Sequence, residues 1–379
     1  MGELIKHLSE GAILIASDAT WIEGSALQQL QNTLKLPGMR RVAGMPDLHP
    51  GQGYPVGAAF FSVGRFYPAL IGNDIGCGMS LWRTSLDKAK NTADRLEKRL
   101  GSIDGPLDES WQEAMAEFNL PKTGFESSLG TIGGGNHFAE IQQIEEVYDQ
   151  EALIPLEIDK RQLLLLVHSG SRGLGEKILR QQIDRYSHHG LAEGSDEALA
   201  YGAEHEIALR FAQANRQLIA LRMLDRLRGE GAAVLDVHHN LLTAAEIEGQ
   251  RGWLHRKGAS PADAGLAVIP GSRGDYSYLV RPVPNSQSLF SIAHGAGRKW
   301  MRSECKARLS ARYRQDQLLK TPLGNRVVCQ DKDLLFEEAP EAYKRIDHVI
   351  ASLVDSGLIV LIARLRPVLT YKTAKAEAS

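Results

Sequence analysis

The chain has 379 residues, 43% of them hydrophobic and 24% charged, with a formal net charge of −2. This composition supports a sizeable folded core and excludes a low-complexity disordered chain and a global basic field for nucleic acid. A local groove lined by Arg and Lys remains open, because net charge says nothing of how charge is distributed.

Met1 to Lys6 carries early charges and lacks the positive-then-apolar order of a secretory leader. Residues 25–34 read as a helix. From 42 to 82 glycine and proline are dense and apolar runs short (58–62 and 68–72), which predicts strands and tight turns. Helices are predicted over 87–100, 108–118, 176–186 and 196–229, the last with Arg, Gln and Glu on one face. A further amphipathic helix is predicted over 341–356. Between them lie β-like runs at 163–167, 232–237, 265–269, 288–293 and 358–363. That last run is far below the ~20 residues a membrane helix needs. Three cysteines, Cys77, Cys305 and Cys329, make no disulfide framework. The expectation is a cytoplasmic, reduced protein without a membrane partner, in which a thiolate ligand is available.

The first four β-like runs each lead into a polar loop of mostly small residues: His168-Ser-Gly-Ser-Arg-Gly173, His238-His-Asn240, Pro270-Gly-Ser-Arg-Gly274 and His294-Gly-Ala-Gly-Arg298. Strands and helices in irregular order predict an α+β fold: a single domain over 1–379, central sheets surrounded by helices, and a cleft at the strand ends. In the last of these loops glycine lets a phosphate approach the backbone, Arg298 can neutralise it, and His294 can act as base, ligand or nucleophile.

Asn73-Asp74-Ile-Gly-Cys77 puts a carboxylate and a thiol three residues apart on a glycine-flanked turn. A thiolate can bridge two metals, and the oxygen donor beside it suits Mn²⁺ as well as softer ions. Gly133-Gly-Gly-Asn-His137, His168 and the His238-His239 pair add imidazoles. Singly, such histidines are ordinary hydrogen-bonded groups and Cys77 a small buried hydrophobe. Together they suffice for two ions with positions open to a phosphate. The spacing does not fit a structural zinc module. Asp47 and His49 sit in a proline-glycine turn, where Asp47 is as well read as a turn stabiliser as a site residue. His238 points opposite to His239, His188 and His189 read as solvent-facing, Arg172 as a phosphate ligand or a surface ion-pair partner, and Cys305 and Cys329 as structural.

These motifs, with Asp47-Leu-His-Pro-Gly51, His255-Arg-Lys-Gly-Ala259, Glu338-Ala-Pro-Glu-Ala-Tyr343-Lys and Arg364-Leu-Arg-Pro-Val-Leu-Thr-Tyr-Lys372, stand in an order that resembles the RtcB RNA ligases over nearly the whole chain. The resemblance implies a GTP- and Mn²⁺-dependent enzyme that joins an RNA 3′-phosphate or 2′,3′-cyclic phosphate end to a 5′-hydroxyl end. Carried over, Cys77 bridges two Mn²⁺ ions, with Asp74 and His137 on one and His168 and His239 on the other. His294 becomes the guanylylated nucleophile. The nucleotide site takes in Asn136, His137, Phe138, Glu140, His239, Asn240, Pro270, Gly271, Ser272, Arg273, Ser277, His294, Gly295, Ala296, Gly297 and Lys372. Arg273, the residues after Lys372, and Asp47-Leu-His49 resemble a subgroup coupled to release factor H, implying RNA repair and that factor as a partner; an archease-type activator is a second implied partner. The rival reading is a metal-bearing protein that binds RNA ends, or opens 2′,3′-cyclic ends, without sealing them.

Overall fold

The alternation of one strand shows how the molecule is layered. In Gln162–Ser169, Leu163, Leu165 and Val167 pack with Ile219, Met223, Leu224 and Leu227 of the helix Asp196–Leu227. The intervening Leu164 and Leu166 pack on the other face with Met79, Leu81, Ile144, Leu279 and Ile362. A strand apolar on both faces is buried on both faces, which is why its sequence reads as an unbroken run. A computed structural model describes residues 4–374; the leader reading of Met1 to Lys6 therefore falls partly outside the described residues.

That strand lies inside an eight-stranded sheet ordered Gly231–His238, Gly78–Asp87, Gln162–Ser169, Phe138–Val147, Ile359–Thr373, Ser277–Pro282 and Ala267–Pro270, with Arg326–Cys329 also on Ile359–Thr373. A six-stranded sheet runs Ile5–Ser9, Ala12–Ile15, Met39–His49, Val56–Ser62, Gln250–Lys257 and Asn240–Ile247. Pairing is antiparallel apart from Ala12–Ile15 with Met39–His49 and Arg326–Cys329 with Ile359–Thr373. Mixed sheets with helices outside a regular alternation make the fold α+β, as expected. Among the described residues no helix is long and apolar enough to cross a membrane, and all three cysteines are free and buried.

Register gathers the functional loops. Gly78 pairs with both Ser169 and His238, Phe138 with His168, Ala139 with Tyr371, and Pro270 with Ser277. In the other sheet Asn240 pairs with Lys257 and His49 with Val56. In antiparallel pairs such registers bring the start of one strand beside the end of its neighbour, so one edge collects them all.

The long helix is set by Ser195, whose hydroxyl accepts from Ala198 N at 3.2 Å, and ended by Arg228 in the left-handed region. Part of its polar face is buried rather than wet. Arg216 is fully buried and pairs with Asp236, and its Nη1 donates to Gly76 O (2.7 Å) and Ser169 O (3.0 Å). Asn215 Nδ2 donates to Gly170 O at 3.2 Å. The helix therefore holds the backbone beside Cys77 and His168.

Several predicted elements shift. The helix predicted over 87–100 is only Ala93–Leu100, because Asp87 closes a strand and Thr92 caps the helix. The one predicted over 341–356 starts at Ile346, after a short 3-10 turn at Pro340–Ala342. Over 108–118 the chain forms only Glu109–Trp111 and Gln112–Ala116. The run 68–72 holds a 3-10 turn, Pro68–Leu70. The run 358–363 opens a 15-residue strand, Ile359–Thr373, whose later part is broken in pattern by Arg364, Arg366 and Pro367.

Candidate active site

The metal-ligand candidates meet at that edge. Cys77 Sγ lies 3.2 Å from His168 Nε2 and 3.4 Å from His137 Nε2. His137 Nε2 lies 2.7 Å from Asp74 Oδ2, close enough for the two to share one cation. The potential donor atoms form two groups sharing Cys77: Asp74, Cys77 and His137, and Cys77, His168 and His239. His137 Nδ1 is 3.2 Å from Ile132 O, and His168 Nδ1 is 3.2 Å from Asn136 O. A carbonyl only accepts, so each Nδ1 carries the proton and each Nε2 lone pair is turned to Cys77. Burial keeps His168 and His239 well below the ordinary imidazole range, hence neutral. It pushes the Cys77 thiol up, reinforced by Asp74, a penalty that a coordinated cation reverses. Two buried atoms here, Asp74 Oδ1 and His239 Nδ1, have no hydrogen-bond partner. Orphaned donors beside a soft-and-hard ligand set fit a cation.

His294 stands just past the strand Ser291–Ala293, its ring 4.7 Å from that of His239. Its Nδ1 donates to Asp47 Oδ2 at 2.7 Å, and its backbone N donates to the same oxygen at 3.2 Å. The Asp47 carboxylate is fully buried. With the proton held on Nδ1, Nε2 keeps its lone pair. Asp47 belongs to the strand Met39–His49 rather than to a turn. Lys344, itself buried, brackets it by donating to Pro46 O (3.0 Å) and Leu48 O (2.6 Å). Its backbone N also donates to Gly297 O at 3.0 Å. A Cβ on Gly297 would lie 2.2 Å from Asp47 O, so only glycine lets this loop rest on that strand.

Asp74, Cys77, His168, His239 and His294 line one cavity of about 300 Å³. Glu140, Arg273, Glu338, Tyr343, Thr370 and Lys372 also line it. Burial raises the Glu140 carboxyl to about 7, against hydrogen bonds from Thr370 and Gln142. Burial also acts upward on Glu338, but Lys372, Arg298 and Arg302 outweigh it and bring it to about 2. Lys372 Nζ donates to Gly135 O at 2.8 Å and lies 3.6 Å from Glu338. Arg298 is not a free phosphate ligand. Its Nε donates to Trp300 O, its Nη1 to Glu338 and Tyr343, and its Nη2 to Cys305 Sγ and Glu337 O. Those contacts occupy every donor a guanidinium has.

A family model described as tRNA-splicing ligase RtcB matches residues 29–105 and 108–373. The chain belongs to the RtcB family. It is 58% identical over 374 residues to the RNA-splicing ligase RtcB2 of Escherichia coli strain ATCC 25922, covering 99% of both chains. It is 31% identical to the RNA-splicing ligase RtcB of Escherichia coli K12, over 93% of this chain and 95% of that one. The tRNA-splicing ligase RtcB of Methanococcus maripaludis is 29% identical, with 91% of each chain covered.

Of the nucleotide-site residues pointed to by the RtcB motifs, Asn136, Phe138, Glu140, His239, Asn240, Pro270, Gly271, Ser272, Arg273, His294, Gly295, Ala296, Gly297 and Lys372 line the cavity. Two do not line it. His137 lies behind, against Asp74 and Cys77. Ser277 is buried and accepts from Gln142, which also donates to Glu140. Arg273 spends Nη2 on Leu335 O, while its Nε and Nη1 are buried without partners. Arg172 lies under Gly133, outside the cavity lining. His238 faces away from His239, with Nδ1 on Gly76 O at 2.8 Å, and His188 and His189 are exposed. Sequence reasoning did not find Lys257, Lys344 or Glu338 as contributors. A lysine at the end of a strand, as in His255-Arg-Lys257, was the available signal for the first, which lines the cavity.

Proposed function

We propose that this protein is a GTP- and Mn²⁺-dependent RNA ligase, joining a 3′-phosphate or 2′,3′-cyclic phosphate end to a 5′-hydroxyl end through a guanylylated His294. The observation that carries the reading is the Asp47–His294 pair, which opens beside five grouped metal-ligand candidates. Asp47 fixes the tautomer and balances the imidazolium that forms, leaving His294 Nε2 as the attacking lone pair. Nε2 forms a bond to the α-phosphorus of GTP, and the bond to the leaving pyrophosphate breaks. The RNA 3′-phosphate then takes GMP from His294, and the 5′-hydroxyl attacks that activated phosphate, releasing GMP. Water first opens a cyclic end. Asp74, Cys77 and His137 would hold one Mn²⁺ ion and Cys77, His168 and His239 a second, and the bound ions would supply Lewis-acid polarisation of the phosphates. Glu140 accepts from the N–H edge of guanine, and Lys372 donates to its acceptor edge. Gly295 to Gly297 lets the phosphate approach the main chain.

The reading takes the whole chain, 1–379, as one cytoplasmic ligase domain. On the resemblance alone it includes RNA repair, release factor H and an archease-type activator. The test is incubation with Mn²⁺ and GTP labelled at the α-phosphate, then denaturing electrophoresis, with ATP as competitor. An acid-labile band is expected in the wild type and absent in His294→Ala. Cys77→Ala should lose metal at both positions. Metal-loaded wild type that takes no label, or His294→Ala that labels fully, overturns the proposal.

A further inference from the structure

Glu338 ends the short helix Lys332–Glu337, its backbone N donating to Leu334 O at 3.0 Å. The side chain is buried at a helix end whose dipole disfavours a carboxylate. What answers it is cationic and comes from three separate parts of the chain. Arg298, at the end of the His294 loop, lies 3.0 Å away. Lys372 of the strand Ile359–Thr373 lies at 3.6 Å and Arg302 of the helix Arg302–Leu309 at 3.7 Å. Tyr343 donates to the second oxygen at 2.5 Å. One carboxylate therefore serves three cations, and all of these side chains line the cleft.

The three cations do not need it equally. Arg298 has Trp300 O, Glu337 O, Tyr343 and Cys305 besides, and Arg302 is half-exposed to water. Lys372 is buried, and its other partner is Gly135 O at 2.8 Å. Among the described residues Glu338 is the carboxylate in ion-pair reach of it. Burial, Arg273 and Arg302 all act to lower the Lys372 ammonium, against Glu338 and Cys329. Of the other groups facing Lys372, burial pushes the Cys329 thiol up, raises Glu140 to about 7 and keeps His168 neutral. Glu338 stands at about 2 despite its burial, so near neutrality it supplies the full countercharge.

We propose that Glu338 is a positioning residue for recognition of the nucleobase, holding the Lys372 ammonium charged and in place on the cleft wall. The inference rests on the function proposed above, in which Lys372 donates to guanine.

The first readout is calorimetric affinity for a GTP analogue with a methylene bridge between the α- and β-phosphorus, which cannot pass GMP to His294. It is measured on Mn²⁺-loaded protein from about pH 7 to about pH 9. Ratios to the wild type at each pH cancel the response of Glu140, which all variants share. Glu338→Gln should bind more weakly, and the deficit should widen as pH rises. Its limit is the roughly 10- to 100-fold that a hydrogen bond from a charged group is worth. Glu338→Asp, which keeps the charge, should keep the wild-type response to pH. Lys372→Met should show the full loss throughout, and Glu338→Gln added to it should cost nothing more.

The second readout needs no nucleotide. Acetic anhydride modifies only the neutral amine, so the pH at which mass spectrometry first finds acetylated Lys372 should fall in Glu338→Gln. Equal onsets in variant and wild type overturn the assignment. So do a deficit that is the same at every pH, losses that add in the double variant, or tighter binding by Glu338→Gln. A wild type that binds no analogue removes the function proposed above instead, and the acetylation onset still decides whether Glu338 holds the charge on Lys372.

Discussion

Glu140 is buried at 5% exposure, with its carboxyl raised to about 7 by that burial. Its folded value lies above the ordinary carboxylate range, so the native state holds an extra proton between about 4.5 and 7. Ionising it across that window lowers folding stability as pH rises. A carboxylate accepts from the guanine N–H edge, and a protonated acid does so less well. GTP affinity should therefore strengthen as pH climbs through about 7, and Glu140→Gln should remove that dependence. Calorimetric affinities that are equal on either side of neutrality in the wild type would refute this. At this scale Asp74, Cys77, His137, His168, His239 and His294 were legible because each sits in a glycine-bearing or strand-end motif. Asp47 was not. Its partner is 247 positions away, and Pro46-Asp47-Leu-His49 reads locally as a turn. Arg298 misled for the opposite reason: loop position suggested a free guanidinium, and only the fold supplies the carbonyls, Glu338 and Tyr343 that occupy it.

Elements act here by handing single side chains to one another. The strand Met39–His49 delivers Asp47 beneath the His294 loop, and Lys344 clamps both pieces. Asp47→Asn keeps the shape but removes the charge that favours the imidazolium. It should slow single-turnover guanylylation by roughly 10- to 1000-fold with metal content intact. A wild-type rate would show that the pair only packs. Periodicity made the helices legible at 176–186 and 196–229, because burying one face imposes a 3.6-residue repeat. It failed for the hairpin Asn240–Ile247 and Gln250–Lys257, whose strands carry Glu246, Arg251 and Arg256. Glu246 faces Arg251 across the pair and Arg256 donates to Ser291 Oγ and Phe290 O, partners that are invisible along the chain. The burial of Arg216 and Asn215 was likewise hidden, since a polar helix face ordinarily meets water.

For the whole molecule, the unpartnered Asp74 Oδ1 and His239 Nδ1 leave the folded state with unmet polar atoms in its interior. A cation that binds them only when the chain is folded stabilises it by about 2.7 kcal/mol at a hundredfold excess over Kd. Adding Mn²⁺ to chelator-treated protein should raise Tm by several degrees, and by less in Cys77→Ala. Melting curves that coincide with and without Mn²⁺ would rule the site out.

The strand Ile359–Thr373 joins segments remote in the chain: Thr370 meets Glu140 across 230 positions and Tyr371 pairs with Ala139. Contacts of such long span close late, because the loop entropy must be met before they contribute. The helices and the Leu163–Val167 layer can form earlier, so the part of the cleft lined by Glu140, Thr370 and Lys372 is the last to exist. During synthesis the nascent chain therefore presents Cys77, His168 and His239 before it presents Lys372. On the function proposed above, a chain stalled short of this strand would carry the metal-ligand candidates without the Lys372 end of the cleft.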